Sequence, residues 1–191
     1  MSMTVNAPFG LRPAYSPSGV IRPTAFTCAS GYAQNIFQNQ PVRIAPSTGG
    51  GETEGTLVAA AVGAAFIGVF QGVEFTDSDG RRRVSNKWTA SQYGTDVIAY
   101  TNLDSSIVYE IQSNATLDVS SIGKQYNLTA ISGNATTGLS SQMLDTATSA
   151  SNASVRVIGV TPGPNNAWGD DYVIVQVQIS ENQNVADKAA Y

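Results

Sequence analysis

Histidine is absent from this chain, and cysteine occurs once, at Cys28. Without imidazole there is no side chain to shuttle protons near neutral pH, to complete a serine or cysteine triad, or to hold zinc in the usual way. A lone thiol rules out an intrachain disulfide framework. Charge is scarce as well: 13 % of the residues are Asp, Glu, Lys or Arg, about half the share of an ordinary globular protein. Ser, Thr, Asn, Gln and Gly fill the positions that ions normally hold. Burying a neutral amide or hydroxyl costs far less than burying an ion, so such a surface suits extensive contact with other protein. The formal net charge of −4 opposes a nucleic-acid partner, which requires clustered cations to displace counterions from phosphates. The single basic run, Arg81-Arg82-Arg83, is too short to line a groove and reads as solvated. Long apolar runs are missing too. The longest, residues 57–70, is interrupted by Gly63 and Gly68 and is too short to cross a bilayer, so no membrane partner is expected. The N-terminus shows no charged region followed by an apolar stretch, which leads us to expect no secretory signal and folding in a cytoplasm.

What is present reads as a β protein. At 191 residues a single domain hides about 70 % of its unfolded surface, enough for a core without staples. The first 24 residues carry Pro8, Pro13, Pro17 and Pro23 with Gly10 and Gly19 between them. That spacing forbids helix and favours an extended arm. Phe9, Leu11, Tyr15, Val20 and Ile21 within it require something to pack on, either the chain's own body or a neighbour. Residues 25–180 read as one β-rich body. Strands are expected over residues 20–27, 40–45, 66–75, 97–100, 107–112, 125–129, 155–160 and 172–179, which predicts a mainly β fold, a barrel or a sandwich, with little helix. In the last of these Val173, Val175, Val177 and Ile179 share one face and Gln176 and Gln178 the other, the period of a half-buried strand. Gly68 and Gly72 are expected on the face of Phe66 and Phe70, where another backbone approaches closely. Residues 46–55 and 134–153 read as loops, the latter as a loop-rich insertion. One short helix is expected over residues 114–122, capped at Asn114 or Thr116. Residues 181–191 form a C-terminal tail whose Tyr191 is placed to dock.

The candidate sites for chemistry are weak. Asp77-Ser-Asp79-Gly80 begins like a calcium loop, but arginines stand where further ligands belong, so a hairpin turn is the better reading. Asp170 and Asp171 are adjacent and diverge in an extended chain, which fits a turn better than a metal site. Lys87, Lys124 and Lys188 have no Ser-x-x-Lys partner, and no Gly-x-Ser-x-Gly elbow occurs. We therefore expect no catalytic residues, metal or cofactor, and no enzyme. Trp88 and Trp168 lie beside turn signals and read equally as interface anchors or as caps on the ends of the body.

Three segments follow one another along the chain: Val5-Asn-Ala-Pro-Phe-Gly-Leu-Arg-Pro13, Ala29-Ser-Gly-Tyr-Ala-Gln-Asn-Ile-Phe37, and Ile67-Gly-Val-Phe-Gln-Gly-Val-Glu-Phe-Thr-Asp77. In order and spacing they resemble the capsid decoration, or cement, proteins of tailed phages. The similarity spans most of residues 5–112 and extends more loosely to Ile158-Gly-Val-Thr161 and the last strand. The resemblance implies a structural protein made in the host cytoplasm and found on the capsid exterior of the virion. It would be a homotrimer that clamps adjacent major capsid protein subunits. No enzymatic residue is carried over. The partner-binding candidates are Phe9, Leu11, Arg12, Tyr15, Ile21 and Arg22 in the arm, then Trp88, Trp168 and Tyr191. The alternative is a head fibre or adhesin that recognises a host surface ligand through Trp88, Trp168 and Tyr93.

Overall fold

The computed structural model describes residues 5–46 and 52–185, so Tyr191 and the end of the expected tail lie outside the described residues. In chain order the strands are β1 Arg12–Tyr15, β2 Pro23–Phe26, β3 Ile36–Phe37, β4 Pro41–Ile44, β5 Leu57–Ala59, β6 Gly68–Thr76, β7 Arg82–Ser85, β8 Lys87–Trp88, β9 Thr95–Asn102, β10 Val108–Gln112, β11 Gln125–Leu128, β12 Leu144–Ala150, β13 Val155–Val160 and β14 Ile174–Ile179. The first sheet runs β1-β10-β14-β13-β11-β12. The second runs β2-β9-β6-β4-β5, with β7 also paired to β6, and β3 and β8 form a separate two-stranded sheet. Every pairing is antiparallel. The protein is mainly β and sandwich-like, and its sheets do not close into a barrel.

Two apolar cores follow from the strand periodicities. In β14, Val175, Val177 and Ile179 are buried while Ile174, Gln176 and Gln178 are half-buried, as alternation requires. They join Tyr109, Ile111, Val155, Val157 and Leu144 in the first core, under one face of the first sheet. The second core holds Phe70, Val73, Phe75, Trp88 and Ala99 on one face of the second sheet. Strand β6 serves both, since Val69 belongs to the first core and Phe70 to the second.

Phe70 and Val73 are three residues apart, and in a regular strand they would point to opposite faces. The ladder pairs Phe70 with Thr101 and Gly72 with Tyr100, so Gln71 is an extra, bulged residue. The bulge shifts the alternation by one and puts Phe70, Val73 and Phe75 on the same side. It also corrects the expected placement of Gly72, which falls opposite Phe70. The close approach expected at Gly68 is present: a Cβ there would lie 1.8 Å from the Asn102 carbonyl oxygen.

The N-terminal segment is woven into the body. Strand β1 forms the edge of the first sheet on β10, and β2 forms an edge of the second on β9. The Gln112 carboxamide holds the approach to β1, accepting from the Ala7 N–H at 2.9 Å and donating to the Val5 carbonyl at 2.8 Å. Two expectations are overturned. Residues 114–122 form no α-helix but a single 3-10 turn, Val119–Ser121. The expected cap, Asn114, instead accepts from the Thr146 N–H at 3.0 Å and serves β12. Residues 134–153 are not all loop, because β12 runs through them. Its Thr, Ser and Ala residues give no apolar alternation, and Leu144 alone among them is buried. Capping of the Thr146 and Ala147 amides by Asn114 and Asp145 satisfies donors that a free edge would expose.

Cys28 is free and buried in the second core. Burial pushes its thiol from 9.0 up to about 12, and burial raises the Tyr32 phenol in the same core as well. On alkalinisation the unfolded thiol loses its proton before the folded one. The stability this group contributes is therefore complete below pH 9.0 and is lost as the pH rises toward about 12. We expect the urea midpoint to fall between about pH 8 and about pH 10.5, and to fall less in Cys28→Ala. Equilibrium unfolding at the two pH values checks this; an equal fall in both proteins would remove the thiol from the account.

Candidate partner-binding surface

The structure separates the residues singled out in the sequence into core and surface. Leu11 and Trp88 are fully buried, so neither side chain reaches a partner, and both are corrected from binding residues to core residues. Leu11 sits in the first core because Gly10, at φ +73°, turns the chain inward beside Asn39 and Ser140. Trp88 meets Phe75 edge-on at 5.3 Å. Ile21 and Trp168 are half-buried against the first core. Phe9 is half-buried, with the Arg12 guanidinium 4.6 Å above its ring. That guanidinium also pairs with Glu110 at 2.6 Å.

Tyr15 (47 % exposed) and Val20 (52 %) face solvent. Arg22 is exposed and lines a shallow hollow with Ser18, Val20 and Asp104. Of the arm residues singled out as partner-binding candidates, Tyr15, Arg22 and Arg12 are therefore the exposed ones.

The Asp77 turn is a hairpin joining β6 to β7, closed by the Asp77 N–H donating to the Arg81 carbonyl at 3.0 Å. Its carboxylates are taken up by arginine: Arg83 pairs with Asp77 at 3.3 Å and with Asp79 at 3.0 Å. Arg82 pairs with Glu74 at 3.3 Å. The basic run is therefore locally neutralised, where the sequence reading had it simply solvated. The Asp170 carboxylate accepts from the Ala167 N–H, and Asp171 accepts from the Thr116 hydroxyl at 2.6 Å, so these acids organise a turn. Among the described residues no group of three His, Cys, Asp or Glu side chains is placed to hold a metal ion. No helix among them is long and apolar enough to cross a membrane.

An accessible feature not anticipated from sequence lies between β1 and the second sheet. Beyond Val69, the face of the second sheet that meets the first core continues through Asn102 to Tyr100 and Gly72, opposite the bulge. There the first sheet no longer covers it. A hollow of about 330 Å³ opens beside Arg12 and Pro13 of β1 and is floored by Gln38, Gln71 and Asn102. Through Pro23 and Gln71 it adjoins a trough of about 370 Å³ walled by Val73, Val84 and Tyr100. Val84 is 83 % exposed. Tyr100 donates to Glu74 at 2.7 Å. That bond holds the Glu74 carboxylate below its ordinary range and raises the Tyr100 phenol.

Gln71 and Asn102 line the hollow, while Asn102 Oδ1 and Gln71 Nε2 themselves are occluded from solvent with no hydrogen-bond partner among the described residues. Nothing in the sequence marks Gln71 or Asn102, because their meeting depends on the bulge. Val84 and Pro23 had a faint signal, an apolar residue on a short polar edge. No family model, curated protein or solved structure matches this chain.

Proposed function

We propose that the chain is a structural decoration protein that binds the outer surface of an assembled tailed-phage capsid and clamps neighbouring major capsid protein subunits. Self-association as a homotrimer, a place on the virion exterior and the absence of any nucleic-acid, membrane or cofactor role belong to the same reading. The observation that carries it is the proline-spaced N-terminal segment, the stretch that begins the ordered resemblance to cement proteins. It edges both sheets and leaves Tyr15 and Val20 in solvent on a body poor in charge. A chain that presents several uncharged surfaces at once gains avidity from each, so modest contacts add to durable attachment.

Co-sedimentation of the purified protein with expanded capsid shells tests the reading. Removal of residues 2–19 is a poor probe, because it takes Leu11 out of the core. The surface double variant Tyr15→Asp with Val20→Asp is expected to weaken shell binding by about tenfold or more with an unchanged thermal midpoint. Unaltered binding would exclude the segment from the interface, and failure of the wild type to sediment with shells would sink the proposal. The adhesin reading has less support, since burial of Trp88 leaves exposed Tyr93 and half-buried Trp168 as its aromatic contacts.

A further inference from the structure

We infer that the hairpin joining β6 to β7 is a processing site, where an endoprotease whose specificity pocket takes arginine cuts the folded chain after Arg81, Arg82 or Arg83 and leaves the two fragments joined. The step is hydrolysis of one peptide bond. Water adds to the carbonyl carbon and the C–N bond breaks, leaving a carboxylate on the first fragment and a protonated amine on the second. The site does not depend on the decoration reading.

An endoprotease draws several consecutive residues out of the fold and into its own groove, so a native chain is cut where such a stretch opens at little cost. From Asp77 to Ser85 no residue is buried, and none belongs to either core. Strand β7 pairs only with β6, and Val84, its one apolar side chain, is 83 % exposed. Peeling β7 away therefore empties no core position. Strand β6 stays in place, because its other edge is paired to β9 from Val69 to Thr76. Past the hairpin the chain is fastened again, by the Asn86 amide donating to the Thr137 carbonyl at 2.8 Å and by the fully buried Trp88. Besides the ladder with β6, ion pairs hold the stretch closed: Arg82 with Glu74, and Arg83 with Asp77 and Asp79. The Arg82 guanidinium also donates to the Asp96 carbonyl at 2.6 Å. Exposed pairs of this kind contribute little.

The other basic side chains are withheld. Arg12 and Arg22 are each followed by proline, whose ring fixes φ and restricts the residue before it, so the bond fits a protease groove poorly. Arg43 lies on β4, between β5 and β6. Lys87 precedes buried Trp88, Lys124 precedes buried Gln125, and Arg156 stands between buried Val155 and Val157. Among the described residues the arginine run alone combines a basic side chain, a following bond without proline and a stretch free of core residues. The cut leaves the body whole, because both sheets and both cores are shared between the fragments. Strand β1 lies on β10, β2 and β6 lie on β9, and β3 lies on β8. Leu11 and Val69 share the first core with Tyr109 and Ile111, and Phe70 and Phe75 share the second with Trp88 and Ala99.

Brief trypsin digestion of the native full chain, read by intact mass, tests this. The first cut is expected after one of the three arginines, with both fragments co-eluting in native size exclusion and separating in urea. The triple variant Arg81→Gln, Arg82→Gln, Arg83→Gln is expected to keep its circular dichroism and to be cut about tenfold more slowly or less, since cleavage then waits on a costlier opening. A first cut in the wild type after Arg43, Lys87, Lys124 or Arg156 overturns the inference. So does a native chain that survives trypsin in conditions that digest the urea-unfolded chain, or a pair of fragments that part in native buffer. Mapping the wild-type cut decides the site whether or not the variant folds.

Discussion

Replacement of Leu11 by alanine is expected to lower the stability of the folded chain by about 3 kcal/mol, the middle of the range for emptying a leucine site in a packed core. Leu11 is fully buried among the side chains of the first core. Its backbone N–H donates to the Asn39 carbonyl at 2.8 Å. Gly10 ahead of it packs closely on Asn39, where an added Cβ would lie 2.5 Å from that same carbonyl oxygen. The loss is large to the extent that the surrounding core does not collapse into the vacated space. Against a typical total of about 5–15 kcal/mol, Leu11→Ala is a severe change, and deletion of residues 2–19, which also removes β1 from its place beside β10, is expected to abolish cooperative unfolding. Equilibrium urea denaturation followed by circular dichroism measures both. A loss under about 1 kcal/mol in Leu11→Ala would return this segment to the status of a free arm.

That expectation shows where the sequence was legible and where it was not. Alternation over long, half-buried stretches was readable, and β6, β9, β10, β13 and β14 lie within a few residues of their expected positions. Strands β3 and β8 have two residues each and leave no period to detect. In β7 the residues are Arg82, Arg83, Val84 and Ser85, largely exposed, so burial imposed no pattern on them. In β12 side-chain caps do the work that apolar packing does elsewhere, and a Thr, Ser and Ala composition reads as loop. The arm was ambiguous for a different reason: proline spacing fixes an extended backbone but does not say what lies beneath it. Leu11 was sorted to the surface with Tyr15 because nothing local distinguishes them. The distinction arises from Gly10 and Asn39, and Asn39 is distant in sequence. The cleft was least legible, because it is created by one bulged residue, Gln71, and that bulge exists only in the pairing with β9.

Trp88 permits the sharpest separation of core from interface. If it is the centre of the second core, Trp88→Ala is expected to cost about 4 kcal/mol in the isolated protein. If it were an interface anchor, the isolated protein would be unaffected and shell binding would collapse. The geometry favours the first outcome, since the ring is fully buried and edge-on to Phe75. Gly94 makes room for it: a Cβ at that position would lie 2.9 Å from the indole. The indole N–H has no hydrogen-bond partner among the described residues, so the bicyclic ring is retained for its volume and not for its donor. Trp88→Phe forfeits part of that volume but also removes an unpaired buried donor, two effects of opposite sign. It is therefore expected to cost only about 1 kcal/mol, far less than the alanine change. The ratio of the two losses, read from urea midpoints at a common slope, is the diagnostic. A phenylalanine variant as unstable as the alanine variant would mean that the N–H is paired after all, and the packing account of the second core would have to be rebuilt around that bond.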